Sequence, residues 1–278
     1  MRYEKIYLED VFDGLEIPPQ KTPLTMFIPY VNEEVYAGRP FRCVVICPGG
    51  GYEYTSVREA EPVALRLAGQ GIAAAIVDYS TNGPRYPMQV LQVLAAVTYL
   101  RRNSADLHID PEKIAVMGFS AGGHAACSAG VFWQEEFAEK ALGISHGEDK
   151  PNGMILCYPV ITSGEFAHRG SFDALIGKEP SADLLEKVSL EKQVTKDTPQ
   201  TFLWHTAEDG LVPAENSLLF AMALREKNIP LEMHIYPKGR HGMSLCDETV
   251  DRPEDLSDSE RYCAEWFSRC VRWIKEML

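Results

Sequence analysis

The chain has 278 residues, of which 45% are hydrophobic and 24% are charged. Its 27 lysines and arginines stand against 40 aspartates and glutamates, which gives a formal net charge of −13 at pH 7. This composition is typical of a globular protein rather than a disordered chain or a repeat array. Because the negative charge repels phosphate groups, binding to nucleic acid or to an anionic membrane surface is disfavoured.

The amino-terminal segment and the cysteines bear on the cellular compartment. Residues 1–10 mix charged side chains with short apolar runs and lack the apolar core of a signal peptide. No stretch approaches the roughly 18 apolar residues of a membrane-spanning helix. The seven cysteines include no Cys-x-x-Cys pair and lie mostly in apolar stretches, which favours buried free thiols. We therefore expect a soluble cytoplasmic protein.

Strand-length apolar runs alternate with segments of helical period along most of the chain. This alternation predicts one α/β domain over residues 1–278, with a mostly parallel central sheet and helices on both faces. Further helices are expected around Val63 and Val97, and over Ala125–Val131, Glu215–Lys227 and Ser259–Met277. The predicted strands are Leu24–Pro29, Phe41–Cys47, Ile72–Tyr79, Lys113–Gly118, Gly153–Tyr158, Gln200–His205 and Leu231–Tyr236.

Two segments interrupt the alternation. Residues 134–152 are polar and charged, and residues 163–198 carry only weak helical signals. Insertions at strand ends of α/β enzymes commonly cover the active site, so we expect lid-like insertions here. The alternative is a solvated loop together with a packing helix.

A possible nucleophile lies where the strand Lys113–Gly118 meets the next helix, in the run Gly-Phe-Ser-Ala-Gly-Gly. A serine at a tight strand-to-helix turn requires strained backbone, and the positions two before and two after it must be small. Gly118 and Gly122 satisfy this requirement around Ser120. The amino terminus of the following helix also favours negative charge at the serine. The pattern therefore predicts that Ser120 is a nucleophile.

Extended to His124, the same run resembles the G-x-S-A-G-G-H turn of the α/β-hydrolase family, in particular its small bacterial esterase branch. That branch includes carbohydrate (xylan) acetyl esterases. The resemblance implies an α/β-hydrolase fold and a Ser-His-Asp enzyme, with the three residues in the chain order Ser, Asp, His. It extends over nearly the whole chain in the order of elements.

The strand Phe41–Cys47 ends in Pro-Gly-Gly-Gly-Tyr, beginning at Pro48. Consecutive glycines can direct backbone N–H groups at a substrate oxygen, and a tetrahedral oxyanion requires at least two such donors. The candidate donors are Gly50, Gly51 and Ala121. Related esterases often carry His-Gly-Gly-Gly at this place, so Pro48 replaces a side chain that orients the loop. The run is not a phosphate-binding loop, because it lacks the Gly-Lys-Ser/Thr ending.

The acid and the base are expected on later loops. The run from His205 to Pro213 resembles the family's H-G-x-x-D-x-x-V-P motif, with Thr206 in place of the glycine, and this implies that Asp209 rather than Glu208 is the acid. His241 lies between two glycines after the last predicted strand, where an imidazole could join Asp209 to Ser120. Structural or surface roles are expected for the other six histidines, which are His108, His124, His146, His168, His205 and His234.

These residues predict a serine esterase that hydrolyses short acyl esters, chiefly acetyl, of sugars or oligosaccharides. A serine peptidase or amidase would use the same three residues, and a non-catalytic binding protein descended from a hydrolase is a third possibility. No cofactor is expected, and no tight histidine cluster suggests a catalytic metal. The expected partner is a small-molecule or oligosaccharide ester; the oligomeric state is left open, with a homodimer among the options.

Overall fold

The computed structural model describes residues 1–15, 20–32, 34, 38–81, 83 and 86–278. Within these residues eight strands form one sheet, in the order β1-β2-β4-β3-β5-β6-β7-β8. The first two pairings, β1 with β2 and β2 with β4, are antiparallel, and all the others are parallel. The strands are β1 (Arg2–Tyr7), β2 (Pro23–Ile28), β3 (Phe41–Cys47), β4 (Ala73–Val77), β5 (Ile109–Phe119), β6 (Gly153–Cys157), β7 (Thr201–Thr206) and β8 (Leu231–Tyr236).

Helices cover both faces of the sheet, which confirms the predicted fold class. They are α1 (Glu61–Ala68), α2 (Met88–Arg102), α3 (Ser104–Leu107), α4 (Ala121–Phe132), α5 (Glu136–Leu142), α6 (Arg169–Ile176), α7 (Ala182–Lys187), α8 (Glu215–Glu226), α9 (Asp258–Cys263) and α10 (Glu265–Met277). The predicted helix over Ser259–Met277 is therefore two helices, which meet at Ala264.

Alternating residues of the central strands enter two separate hydrophobic cores. In β3, Val45 faces the core that includes α2, α4 and α8, whereas Val44 faces the core that includes α1 and α10. This follows from the two-residue period of a strand between two helical layers. Helix α4 is buried along its whole length. Its small residues let it lie close to the sheet, and its first residue, Ala121, follows Ser120 in the chain.

Strand β1 was not predicted. Its six residues are all exposed or half-buried at the edge of the sheet, so the segment lacks the apolar run that marks the interior strands. Its pairing with β2 depends on residues well separated in the sequence.

The two insertions lie at opposite ends of the sheet. Residues 134–152 precede β6, and the N–H of Asn152 donates to the carbonyl of Ile114, so this segment lies at the amino end of β6 and away from Ser120. The lid function expected for this segment stays a prediction. Residues 163–198 contain α6 and α7 and follow the carboxyl end of β6, on the side of Ser120. A lid function for this second segment stays a prediction.

All seven cysteines are buried and free.

Among the described residues, no helix combines the length and the apolar character needed to cross a membrane.

Candidate active site

Ser120 occupies a strained turn between β5 and α4. Its φ is +53° and its ψ is −121°, a conformation that costs energy in any residue with a side chain. Backbone hydrogen bonds hold it there: the N–H of Ser120 donates to the carbonyl of Cys157, and the carbonyl of Ser120 accepts from the N–H of Val160, both at 3.0 Å. The hydroxyl is thereby presented at the carboxyl edge of the sheet, where open α/β sheets bind ligands.

Close backbone packing explains the glycines on either side of the serine. A Cβ atom on Gly118 would lie 2.0 Å from the carbonyl oxygen of Gly122, and a Cβ on Gly122 would lie 2.1 Å from that of Cys47. Neither gap admits a methyl group, because backbone atoms on both sides cannot yield. The requirement for small residues that the sequence indicated is therefore steric.

The structure brings Ser120, His241 and Asp209 together, although they lie far apart in the chain. His241 Nε2 is 2.7 Å from Ser120 Oγ, and His241 Nδ1 is 2.7 Å from Asp209 Oδ2. An ionised Asp209 only accepts hydrogen bonds, so the proton of a neutral ring lies on Nδ1 and Nε2 is free to accept the proton of the serine. This is the hydrogen-bond order of a nucleophile, a base and an orienting acid.

Asp209 lies in a pocket that favours its ionised form. Its Oδ1 accepts the N–H groups of Leu211 and Val212, at 3.0 and 2.9 Å, while His205 Nε2 lies 3.3 Å from Oδ2. Burial raises the pKa of Asp209, but the hydrogen bonds from His205, His241 and Val212 outweigh burial and hold the pKa well below its usual range. The neighbouring Glu208 is exposed to solvent. Of the two carboxylates, only that of Asp209 reaches His241.

The glycine loop after β3 carries the predicted oxyanion donors. Gly50 and Gly51 have φ values of +126° and +66°. Within the described part of the chain, the N–H groups of Gly50, Gly51 and Ala121 donate to no protein acceptor. Backbone N–H groups without partners, close to a nucleophile, can stabilise an oxyanion.

Two side chains hold this loop in the absence of the histidine that Pro48 replaces. Tyr79 donates a hydrogen bond from its hydroxyl to the carbonyl of Pro48 at 2.5 Å. Glu59 accepts the N–H of Gly49 at 2.9 Å. The loop is therefore anchored at both residues that precede Gly50.

Three histidines outside this group lie close to the site. His205 supports Asp209, and the fully buried His124 bonds to the hydroxyl of Tyr52 and to the carbonyl of Val188. His168, expected in a polar loop, is half-buried, and both burial and the charge of His241 lower its pKa. The sequence indicated only structural or surface roles for these three residues. His124 and His205 lie in the motifs around the nucleophile and the acid, but a local motif does not report which distant groups a side chain contacts.

The sequence motifs identified neither Glu59 nor Tyr158 as a site residue. Glu59 is buried beneath the glycine loop, and the ring of Tyr158 meets the ring of His241 edge to face with centroids 5.1 Å apart.

In the part of the chain that the structure covers, no group of three or more histidine, cysteine, aspartate or glutamate residues could hold a metal ion.

The fold and the arrangement around Ser120 define the protein as an α/β hydrolase. More narrowly, the chain belongs to the BD-FAE family, whose model matches residues 30–224. The resemblance to this fold and branch that the sequence motifs suggested is thereby confirmed.

Curated relatives include two proteins of xylan breakdown. Over 210 residues the chain is 37% identical to endo-1,4-beta-xylanase B of Butyrivibrio fibrisolvens, an alignment that covers 74% of this chain and 33% of the relative. Over 210 residues it is 31% identical to the acetylxylan esterase of Xylanibacter ruminicola, covering 73% of this chain and 41% of the relative. The chain thus spans about a third of the length of the first relative and about two fifths of the length of the second.

Solved structures match over almost the full chain. The acetyl ester-xyloside bifunctional hydrolase of Caldicellulosiruptor lactoaceticus superimposes with a TM-score of 0.83 at 36% identity, covering 99% of this chain and 96% of the other. A carboxylesterase of Lactobacillus plantarum gives a TM-score of 0.83 at 25% identity, covering 100% and 98%.

Proposed function

We propose that the protein is a serine esterase that removes short acyl groups, chiefly acetyl, from sugars or oligosaccharides. The observation that carries this proposal is the continuous hydrogen-bonded chain from Ser120 through His241 to Asp209, with both links at 2.7 Å. Unpartnered N–H groups on the glycine loop and at the start of α4 lie beside it. Such an arrangement serves nucleophilic attack on a carbonyl carbon.

The chemistry follows from these contacts. His241 Nε2 takes the proton of Ser120 as Oγ attacks the ester carbonyl, and the resulting oxyanion accepts hydrogen bonds from Gly50, Gly51 and Ala121. The C–O bond to the alcohol then breaks, and the imidazolium gives its proton to the departing oxygen. A water molecule, deprotonated by His241, then attacks the acyl carbon. The bond from that carbon to Ser120 Oγ breaks, and the imidazolium returns its proton to Oγ, which releases the acid and the free serine. Asp209 stays ionised throughout and stabilises the imidazolium.

The site's surroundings and the named relatives support a polar alcohol and a small acyl group. Segment 163–198 reaches the site: Ser171 Oγ lies 3.9 Å from where a Cβ on Gly51 would be, and His168 hydrogen-bonds to Ser171 at 2.8 Å. Polar side chains at the entrance suit a sugar better than the deep apolar tunnel that a long acyl chain requires. Relatives named for acetylxylan and acetyl ester-xyloside hydrolysis point to the same substrate class.

A cytoplasmic location, with imported acetylated fragments as substrates, is part of the proposal. Its support is the set of seven buried free thiols, which is typical of proteins in a reducing compartment.

The test is a hydrolysis panel of aryl acetate, butyrate and octanoate, acetylated xylo-oligosaccharides and aryl amides. We expect acetate to be preferred over octanoate by kcat/KM, and acetate to be released from the oligosaccharides. A preference for octanoate contradicts the proposal of a site for short acyl groups. A preference for the aryl amides means that the protein is an amidase rather than an esterase.

The Ser120→Ala variant tests the nucleophile, and we expect turnover to fall by about 10⁴-fold. The matched control is Ser128→Ala, because Ser128 is buried on α4, the helix that follows Ser120, and its hydroxyl has no partner among the described residues. Full activity of Ser120→Ala, or an equal loss in both variants, contradicts the assignment.

A further inference from the structure

Glu59 is a buried carboxylate that the reaction as described does not use. It ends a short 3₁₀ turn, Val57–Glu59, directly before α1, and only 4% of it is exposed. Its Oε2 accepts the N–H of Gly49 at 2.9 Å. A Cβ on Gly49 would lie 2.7 Å from this Oε2 and 3.0 Å from the Cβ of Ser120. The carboxylate and the nucleophile are therefore separated by little more than the width of one glycine.

The other oxygen of Glu59 connects to the loop that bears His241. Oε1 accepts the hydroxyl of Tyr158 at 2.6 Å, and that hydroxyl accepts the N–H of Ser244 at 2.8 Å. Ser244 is fixed in turn, since its hydroxyl donates to the carbonyl of Arg58 at 2.7 Å. The ring of Tyr158 packs edge to face on His241. One carboxylate thus links the glycine loop to the loop of the base.

The positions of the protons favour an ionised Glu59. The N–H of Gly49 can only donate, and the hydroxyl of Tyr158 accepts from Ser244, so its own proton points to Glu59. A proton on Glu59 would displace one of these two donors. Burial raises the pKa of Glu59 above its usual value, and the hydrogen bonds from Tyr158 and Gly49 and the charge of His241 offset only part of this rise. The titratable or charged groups that face Glu59 are Arg58, Tyr79, Cys157, Tyr158 and His241.

We propose that Glu59 is an anionic positioning residue that holds the glycine loop and the His241 loop in one arrangement and stabilises the imidazolium as it forms. The proposal rests on the esterase function proposed above. A buried negative charge near His241 acts through a low effective dielectric, so it favours the protonated ring more than an exposed charge would. Besides Glu59, the ionisable groups that face His241 are Tyr158, His168 and Asp209.

The decisive variant is Glu59→Gln, which keeps the shape of the side chain and removes its charge. We expect kcat on aryl acetate to fall by about 10- to 100-fold with KM changed less than about threefold, because the charge acts on the transition state. We also expect the acid limb of the pH–rate profile to move to lower pH by about half a unit or more, because protonated His241 loses an anionic neighbour. Glu59→Asp, which keeps the charge, is expected to leave the acid limb near its wild-type position.

Two further measurements distinguish the proposed role of Glu59 from a loss of folding and from a failure of the esterase function. The matched control is Glu61→Gln, because Glu61 is exposed nearby, and it is expected to behave like wild type. Titration of the His241 ring, followed by NMR in wild type and Glu59→Gln, requires no turnover. If the wild type hydrolyses no ester, the proposed function fails, while a shift of this titration to lower pH still supports the charge of Glu59.

An acid limb and a ring titration that both stay unchanged in Glu59→Gln overturn the proposal, whatever happens to kcat. Should Glu59→Gln not fold, Tyr158→Phe provides the test, because it keeps the ring on His241 and removes the link from Glu59 to Ser244. We expect kcat to fall by about threefold or more in this variant at unchanged KM. A wild-type kcat in Tyr158→Phe overturns the proposal.

Discussion

The hydroxyl of Tyr52 donates a 2.8 Å hydrogen bond to Nδ1 of His124, which joins the end of the glycine loop to the helix behind the nucleophile. The direction of this bond follows from the other side of the ring. His124 Nε2 lies 2.9 Å from the carbonyl of Val188, which only accepts, so Nε2 bears the proton and Nδ1 accepts from Tyr52. Burial lowers the pKa of His124 to about 4, which keeps the ring neutral at pH 7.

We expect Tyr52→Phe to lower kcat on aryl acetate by about tenfold, because the loop after Gly51 loses its anchor to α4. The variant should also lose about 1 to 2 kcal/mol of unfolding free energy, since Nδ1 of His124 stays buried without a donor. Steady-state kinetics and urea unfolding measure the two effects. Tyr54→Phe is the matched control, since Tyr54 lies on the same loop and is 62% exposed. Equal behaviour of the two variants argues against a role for the buried hydrogen bond.

Asp209→Asn is expected to lower kcat by about 10⁴-fold. An amide neither stabilises the imidazolium nor fixes the tautomer that leaves Nε2 free to accept the proton of Ser120. Glu208→Gln, a change of the same type at the exposed neighbour, should stay within about threefold of wild type. Both rates are measured on aryl acetate at the same pH. A reversed order of the two effects identifies Glu208 as the acid.

The choice between Asp209 and Glu208 shows which parts of the site can be predicted from sequence patterns and which cannot. The turn around Ser120 was predictable, because its steric requirement falls on Gly118 and Gly122 in the same short run. Asp209 and Glu208 are neighbours of equal chemistry, and only the resemblance to a family motif separated them. What separates them physically is burial of Asp209 against His205 and the N–H of Val212, which only the folded chain provides.

The role of Glu59 could not be predicted from the sequence either, because burial again decides it. The stretch from Glu53 to Glu61 contains several glutamates, and nothing local distinguishes the buried one from its exposed neighbours. Its partner Tyr158 is 99 residues away in the chain, and the tertiary fold alone brings the two together. Strand β1 was missed on similar grounds, since an edge strand with half-exposed residues leaves no periodic apolar signal.

His124 should make the protein sensitive to acid. Its pKa is about 4 in the folded protein and close to 6.5 when the chain is unfolded, so the unfolded chain takes up the proton first. The titration of His124 therefore costs little stability above pH 6.5. Below that pH, the free energy of unfolding falls as the pH drops towards 4. Between pH 7 and pH 5 this residue should account for about 2 kcal/mol of lost unfolding free energy.

The comparison variant is His124→Gln, which cannot titrate in this range. We expect it to be less stable than wild type at pH 7, because it loses a fitted hydrogen-bonding ring, and the difference should narrow by about 2 kcal/mol at pH 5. Urea unfolding at both pH values measures the difference. A gap of constant size from pH 7 to pH 5 shows that the buried ring does not control acid sensitivity.

Asp149 should change the stability of the protein with pH in the opposite direction to His124. It is fully buried in segment 134–152, and neither of its carboxylate oxygens is hydrogen-bonded to another of the described residues. The nearby guanidinium of Arg101 instead donates to backbone carbonyls, including those of Glu148 and Lys150. Burial raises the pKa of Asp149 to about 6. The folded protein therefore binds the proton more tightly than the unfolded chain does, and stability is lost as the pH rises through 6.

Asp149→Asn removes this buried charge at almost no change of volume. We expect the variant to be more stable than wild type by about 2 kcal/mol at pH 8 and nearly equal to it at pH 4, where the wild-type carboxyl is already neutral. Thermal and urea unfolding at the two pH values provide the measurement. Asp13→Asn, at an exposed aspartate, should change stability by less than about 0.5 kcal/mol at either pH. A destabilised Asp149→Asn at pH 8 means that the carboxylate has a partner in solution, such as a bound water, which the amide cannot satisfy.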